Sequence, residues 1–485
     1  MKLNKEFLKN THFNASDYSY SQNELSAGIV HIGVGNFHRS HQGYYLDALF
    51  NKRKSLDFGI VGAGLRSTDE AMRSDLKSQD FLTTVISRDE NNTNIRVLQS
   101  MIDFVEINNL ALIDTLLKEE IKIVSLTITE AGYYIDSNSQ FNIEHKDIQE
   151  DINNLKNPKT VFGVLLLAIK QREEKKLPSF TLMSCDNISH NGDILKNIMC
   201  KMAEKIDKSL LEYIQNNVVF PNSMVDRITP VLSKKDQSFI LDHYGYEDKR
   251  PVFCEPFMQW VLEDKFSNLR PKLEEVGVIF VKDILPYELM KLRLLNGSHS
   301  CLSSIASLLN ITYVHEALQN ACVRRFLDNI MLKEVIPSLK IDIDVKLEDY
   351  YTSVIQRFSN PYIEDTITRI CIDNSSKYPT FVIESIKDAI KNGVNYDGLA
   401  MVCALWCRYC IGYDEDNIKL DINDSKKDEL KEKALASQTN PKVFLSIKDV
   451  FGDLEKNEEF VNVFTLALNS IYKIGVQNTV DKYNN

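Results

Sequence analysis

The chain has 485 residues, 44% of them apolar and 26% charged, with a formal net charge of −11 and nine cysteines. This is the composition of a globular protein long enough for two domains. The acidic balance speaks against non-specific nucleic-acid binding and against attachment to an acidic membrane surface, since both need a basic face. The longest apolar run, "VFGVLLLAI" at 161–169, has nine residues, against the roughly 20 of a membrane-spanning helix. The opening "MKLNKEFLKNTHFNAS" lacks the apolar stretch of a signal peptide. With irregularly spaced cysteines that need not pair, these features predict a cytoplasmic protein.

In chain order, the first predicted strand is "GIVHIGVG" (28–35), followed by a helical pattern, "HQGYYLDALFNK". A second strand, "DFGIVGAGL" (57–65), leads into "LRSTDEAM". A third, "KIVSLTIT" (122–129), precedes the helical "KTVFGVLLLAIKQREEKK", and a fourth, "SFTLMSCD" (179–186), follows it. Such alternation builds a parallel sheet with right-handed crossovers.

Gly33-Val34-Gly35 lies between a strand and a helix, the context of a dinucleotide-binding turn. The first glycine makes the tight turn and the second lets the backbone approach a pyrophosphate. A helix starting near Asn36 offers amide groups to an anion. The third glycine of the fingerprint should stand at position 38, where the sequence has His38, followed by Arg39. A glycine turn without a ligand fits these residues equally well. His38 and His41 also suggest a metal, but no nearby carboxylate completes a ligand set, so none is expected. Asp69 is the candidate acid for the ribose hydroxyls of an adenosine, although it lies 34 residues past Gly35 where about 20 is usual. It serves as well as a helix N-cap. Asp186 and Asn187 fall at the carboxyl end of the fourth strand, the edge where open α/β sheets bind ligands, and Asn191-Gly192 is expected to be a turn.

From about Pro286 strand signals fade and helical patterns dominate, which predicts two domains, 1–285 and 286–485. "YELMKLRLLNGSHS" places Lys291, Asn296 and His299 in a K-x4-N-x2-H spacing. On an α-helix the three fall within an arc of ~140°. A lysine in a half-apolar cleft loses its proton more readily and can act as a general base, while Asn and His can hydrogen-bond an oxygen that gains charge. A surface lysine and a capping asparagine before Gly297 would show the same letters. Cys403, Cys407 and Cys410 have the C-x3-C-x2-C spacing of some iron–sulfur enzymes, but the apolar neighbourhood favours core packing. The charged "KLDINDSKKDELKEKAL" is expected to be solvated surface.

Taken together, "GVGNFHRSHQ", "IVSLTITEAGY", "MSCDN", "NSMVDRITP", "CEPFMQWVLEDKF", "PYELMKLRLLNGSHS" and "RFSNPYIEDTITRI" resemble the polyol-specific long-chain dehydrogenases, the mannitol dehydrogenase family, over nearly the whole chain. The resemblance implies an α/β protein with an N-terminal Rossmann-type parallel-sheet domain and a mostly α-helical C-terminal domain that binds substrate. It makes the histidine at position 38 part of the family's own turn and implies that Gly33, Gly35, Asn36, Phe37, His38, Arg39 and Asp69 bind NAD. It implies that no metal takes part. Lys291 is then the general base, Asn187 and Asn296 hold the reacting oxygen, His299 bonds the substrate beside it, and Glu288 relays the proton to solvent. Asp226, Arg369 and Lys377 match positions that bind the polyol's other hydroxyls. The implied activity is interconversion of D-mannitol and D-fructose, with D-arabinitol, sorbitol or fructuronate as alternative substrates. The partner is a small polyol or ketose, and a monomer is expected. A non-catalytic NAD(H)-binding redox sensor is the alternative of another class. Two departures stand out: Ala131 where the family commonly has glycine, and Thr68 where close relatives often carry a second acid. With Arg66 close by, the latter predicts weaker rejection of NADP.

Overall fold

The apolar runs of the first half become strands because both faces of their sheet are covered. In the computed structural model, which describes residues 1–10, 18–135, 140–232 and 234–485, four of these runs and a fifth strand that was not expected from the sequence form one sheet. They are β1 (Ala27–Ile32), β2 (Gly59–Ala63), β5 (Met101–Phe104), β6 (Ile123–Leu126) and β7 (Thr181–Ser184), in the order β5-β2-β1-β6-β7 with every pairing parallel. Alternate residues point to opposite sides. Val30, Ile32, Val61, Val124, Leu126 and Leu182 face a core shared with the helices Val161–Glu174 and Asn191–Ile206. Ile29, Ile60, Ile123 and Met183 face another, shared with the helix Gln42–Asn51. Helices on both faces of a parallel sheet are the doubly wound arrangement that the strand–helix alternation predicts.

The helix Val161–Glu174 shows why the longest apolar run is not a membrane segment. The Thr160 hydroxyl caps it by accepting from the Gly163 N–H at 3.1 Å, and Thr160 is itself held by the buried Asp151. Nine residues in a row are then buried, before Arg172 closes the run by donating to the carbonyls of Leu116, Lys118 and Pro178. A helix apolar nearly all round belongs inside a protein of this size. Among the described residues no helix is long and apolar enough to cross a membrane.

Two small sheets lie outside the predicted strands. β3 (Thr83–Arg88) pairs antiparallel with β4 (Thr93–Leu98) and parallel with β9 (Val252–Cys254). β10 (Gln259–Glu263) joins β8 (Ser223–Asp226) antiparallel and β11 (Ile279–Val281) in parallel.

The chain divides into two units, Met1–Leu285 and Pro286–Asn485. The second is helical, with only isolated bridges such as Tyr313 to Thr366 among its described residues. Cys403, Cys407 and Cys410 lie fully buried along and just past the helix Asp397–Tyr409, which packs on the helix Glu458–Ile474. Burial pushes their thiols above the usual range, so they pack as small apolar side chains. The charged stretch expected to be wholly solvated is instead partly anchored. Its helix Lys427–Ala436 buries Leu430 and Ala434 and leaves most of its charges outside.

Candidate active site

In the first unit the chain reverses its progress across the sheet between β1 and β6, and crevices for ligands form at the carboxyl ends of strands at such a point. The glycine turn sits there. Gly33 has φ +96°, and a Cβ on it would lie 2.1 Å from the Thr127 carbonyl oxygen, so backbone and packing both demand glycine. Gly35 is different. Its φ is −117°, and the nearest atom to an added Cβ would be 3.8 Å away. The protein's own packing does not require glycine at position 35. A ligand backed closely against the turn would require it, so these residues fit a dinucleotide.

His38 solves the missing third glycine by lying flat. Its ring, 1% exposed, stacks on that of His31 in β1 with centroids 3.5 Å apart and planes 8° from parallel. Two flat rings let the helix Asn36–Ser40 close on the strand. His31 faces Ser125, its register partner on β6, with Nδ1 2.8 Å from that hydroxyl and Nε2 2.9 Å from the Thr127 hydroxyl. The Thr127 hydroxyl in turn donates to the Gly33 carbonyl at 2.7 Å. Burial pushes His31 down to about 3 and drives His38 well below the usual histidine range, with the charges of His31, Arg39 and His41 adding to the shift. Arg39 also turns inward and donates to Gly35 O, to Asn36 Oδ1 at 2.7 Å and to the Arg250 carbonyl; burial lowers it to about 10. Phe37 stacks on His41. The lip of the turn is therefore Gly33, Gly35 and Asn36, with His38 and Arg39 shaping it from below.

Asp69 does not cap a helix. It is the first residue of the helix Asp69–Lys77, and its Oδ2 accepts from the Leu65 and Arg66 N–H groups upstream, both at 3.0 Å. It thus shapes the loop leaving β2 and stays half-exposed, as a ribose-binding acid must. After β7, Asp186 is buried and ties two strand ends together. It accepts from Thr129 N–H at 2.7 Å, Ile128 N–H at 3.1 Å and the Tyr133 hydroxyl at 2.7 Å. This holds Thr129 at φ +64°, a conformation rare for a branched residue. Asn187, the next residue, is exposed at the sheet's carboxyl edge. Asn191 and Gly192 are not a turn but the first residues of the helix Asn191–Ile206. The Asn191 amide donates to the Asp186 and Ser223 carbonyls, and a Cβ on Gly192 would lie 2.5 Å from Pro221 O, so packing fixes the pair. Asp226 ends β8, outside the main sheet, and is buried.

In the second unit, Glu288, Lys291, Asn296 and His299 follow one another on a continuous helical run whose middle, Lys291–Asn296, is a π-helix. The Gly297 N–H reaches back to Leu292 O. The α-helical arc expected from the sequence is corrected accordingly: i→i+5 bonding widens the turn and narrows the angle between positions five apart, such as Lys291 and Asn296, and single π turns are frequent at functional sites. Glu288 and Lys291 are only 5% and 8% exposed. His299 stacks on Phe358 at 4.1 Å, and its Nε2 lies 3.7 Å from Asp365 Oδ2. Burial pushes it down to about 3, against the pull of Asp365. Arg369 grips both Asp365 oxygens with Nε and Nη2, which raises its own proton affinity. Lys377 is half-buried, donates to Ile370 O at 3.3 Å, and is pushed down by burial and by Arg369. Asp365 joins His299 to Arg369 and was not among the residues expected from sequence. Its only signal was the i, i+4 spacing from Arg369 in "EDTITRI".

Comparisons with known proteins cover both units. Residues 27–275 match the Mannitol dehydrogenase Rossmann domain and 283–472 the Mannitol dehydrogenase C-terminal domain. A mannitol 2-dehydrogenase of Cereibacter sphaeroides is 39% identical over 96% of this chain and 98% of its own length. One of Neosartorya fischeri is 42% identical over 95% and 93%. Among solved structures, the Pseudomonas fluorescens mannitol 2-dehydrogenase ternary complex with NAD and D-mannitol superposes with a TM-score of 0.86 at 40% identity, covering 100% of this chain and 99% of that one. A substrate-free D-sorbitol dehydrogenase gives 0.91 at 31% identity, covering 99% and 100%. The chain belongs to the mannitol dehydrogenase family of polyol oxidoreductases.

Proposed function

We propose that the protein is an NAD-dependent mannitol 2-dehydrogenase that interconverts D-mannitol and D-fructose with a lysine base and no metal. The observation that carries the reading is Lys291: a buried lysine at the start of a π turn, with the buried Glu288 just before it and Asn296 at the turn's other end. The full-length similarity to mannitol 2-dehydrogenases supports the substrate.

The chemistry balances without a metal. Lys291 in its neutral form takes the proton of the C2 hydroxyl. The glycine turn and Asp69 would hold NAD, which when bound would supply the acceptor for the C2 hydride as the C–O bond becomes a carbonyl. Amide N–H groups of Asn187 and Asn296 bond the oxygen while its charge is greatest. Glu288 passes the proton from Lys291 toward solvent. Asp226, Arg369 and Lys377 hold the remaining hydroxyls, and burial keeps the His299 ring neutral beside Arg369 and Lys377.

A panel of initial rates tests the substrate assignment: D-mannitol, D-sorbitol and D-arabinitol with NAD, and fructuronate with NADH. The highest kcat/KM is expected for D-mannitol, with oxidation rising and ketose reduction falling as pH increases. A higher value for D-sorbitol would move the assignment to that hexitol, the second reading, which the superposition on D-sorbitol dehydrogenase favours. Activity with fructuronate alone would overturn it.

A further inference from the structure

We infer that Asp365 is a positioning residue that fixes His299 as its Nε2–H tautomer, so that His299 offers a lone pair at Nδ1 to a hydroxyl proton of the substrate. The inference rests on the polyol reading above and deepens it.

The geometry of the second unit carries it. Phe358 covers one face of the imidazole, so hydrogen bonds are left to the ring's edge. Nε2 is sealed from solvent and has no hydrogen-bond partner among the described residues; the polar atom it faces is Asp365 Oδ2, at 3.7 Å. That separation is too long for a hydrogen bond, but catalytic contacts in ligand-free proteins are often long and tighten when substrate binds. Both Asp365 oxygens are gripped by the Arg369 fork, which keeps the carboxylate an acceptor. A neutral imidazole has one N–H. The carboxylate draws that hydrogen to Nε2, and Nδ1 is left as an acceptor. The His299 side chain keeps 18% of its surface exposed although Nε2 is sealed, and no described donor or acceptor engages Nδ1.

The consequence is a selection rule. Lys377 and the free nitrogen of Arg369 can only donate. A polyol hydroxyl both donates and accepts, so a site that binds it well needs an acceptor, and His299 Nδ1 supplies one. A carboxylate or ketone oxygen carries no hydrogen for that lone pair, so His299 discriminates for hydroxyl at its position.

Side-chain amides separate the two ring nitrogens, because asparagine places its amide near Nδ1 of a histidine and glutamine near Nε2. Both changes remove the imidazole that stacks on Phe358, but His299→Gln is expected to raise KM for the polyol about tenfold more than His299→Asn does, the effect of losing one hydrogen bond in a closed site. Asp365→Asn should also raise polyol KM about tenfold with a smaller change in kcat. Asp365→Glu should recover part of the loss, and NADH affinity measured by fluorescence should be unchanged in all four. A His299→Gln variant that outperforms His299→Asn, or an Asp365→Asn variant with wild-type KM, would overturn the inference. The tautomer is also read directly, by imidazole nitrogen NMR of the histidine-labelled full chain, with the His299 signal assigned by its loss in His299→Asn. An Nδ1–H signal contradicts the inference even if the variants fold poorly. Wild-type protein without polyol turnover would instead sink the proposed function and leave the tautomer to be read.

Discussion

Thr127 has one hydroxyl hydrogen and two neighbours placed to receive it, the Gly33 carbonyl and the His31 imidazole. A carbonyl can only accept, so the hydrogen goes to Gly33 and His31 must donate from Nε2, leaving Nδ1 to accept from Ser125. A chain of three side chains, His31 on β1, Ser125 on β6 and Thr127 just past the end of β6, thus fixes the turn proposed to hold the cofactor. Thr127→Val cuts it while keeping the side chain's shape. Its KM for NAD is expected to rise about five- to tenfold with little change in kcat, and Thr127→Ser to stay near wild type, as steady-state kinetics with saturating polyol will show. At this scale the sequence was informative where residues act from one segment. Lys291, Asn296 and His299 were singled out by spacing and the family resemblance, and the two glycines by context. His31 and Asp365 did not, because a residue that works through partners on another strand or helix leaves no local pattern.

The elements tell the same story one level up. The four strands expected from apolar runs are all present, trimmed at their ends, because strands buried on both faces must be apolar throughout. Strands such as β9 and β11 were not legible: they are three residues long, and β9 pairs with β3 across more than 160 positions, with Val85 opposite Val252. The π turn at Lys291–Asn296 was equally hidden, since periodicity assumes α geometry and one widened turn barely disturbs it. Glu334 is a further tie between elements. It is buried on a second π segment, accepts from the Gly398 and Leu399 N–H groups at the start of the helix Asp397–Tyr409, and accepts from Tyr483 of the last helix. Glu334→Gln replaces one accepting oxygen by a donor and is expected to cost about 1–3 kcal/mol at pH 5. Burial raises Glu334 to about 7. Between its unfolded value near 4.5 and about 7, the folded state holds more protons than the unfolded one, so this group's contribution to stability falls as pH rises. The stability gap between variant and wild type should therefore narrow from pH 5 to pH 8 in thermal unfolding. A gap that widens would contradict the assignment.

For the whole molecule, the change from alternating strands and helices to helices alone was visible in the pattern of apolar residues, because a doubly wound sheet and a helical unit bury their faces with different periods. The functional reading came from the glycine turn and the run from Glu288 to His299, together with the family resemblance; the bulk charge of −11 gave an expectation about partners and no substrate. Lys291 as the base of a polyol oxidation is the central step of the proposed function. The measurement that tests it most directly is the initial rate of NADH formation from D-mannitol and NAD by wild type and Lys291→Ala, with NADH binding measured in parallel. The expected result is robust turnover by wild type, a loss of about 10²–10⁴-fold in the variant and equal NADH affinity in both. A variant that oxidises D-mannitol within tenfold of wild type across the pH range would contradict the lysine's role, and a wild-type protein that forms no NADH from any polyol would contradict the function itself.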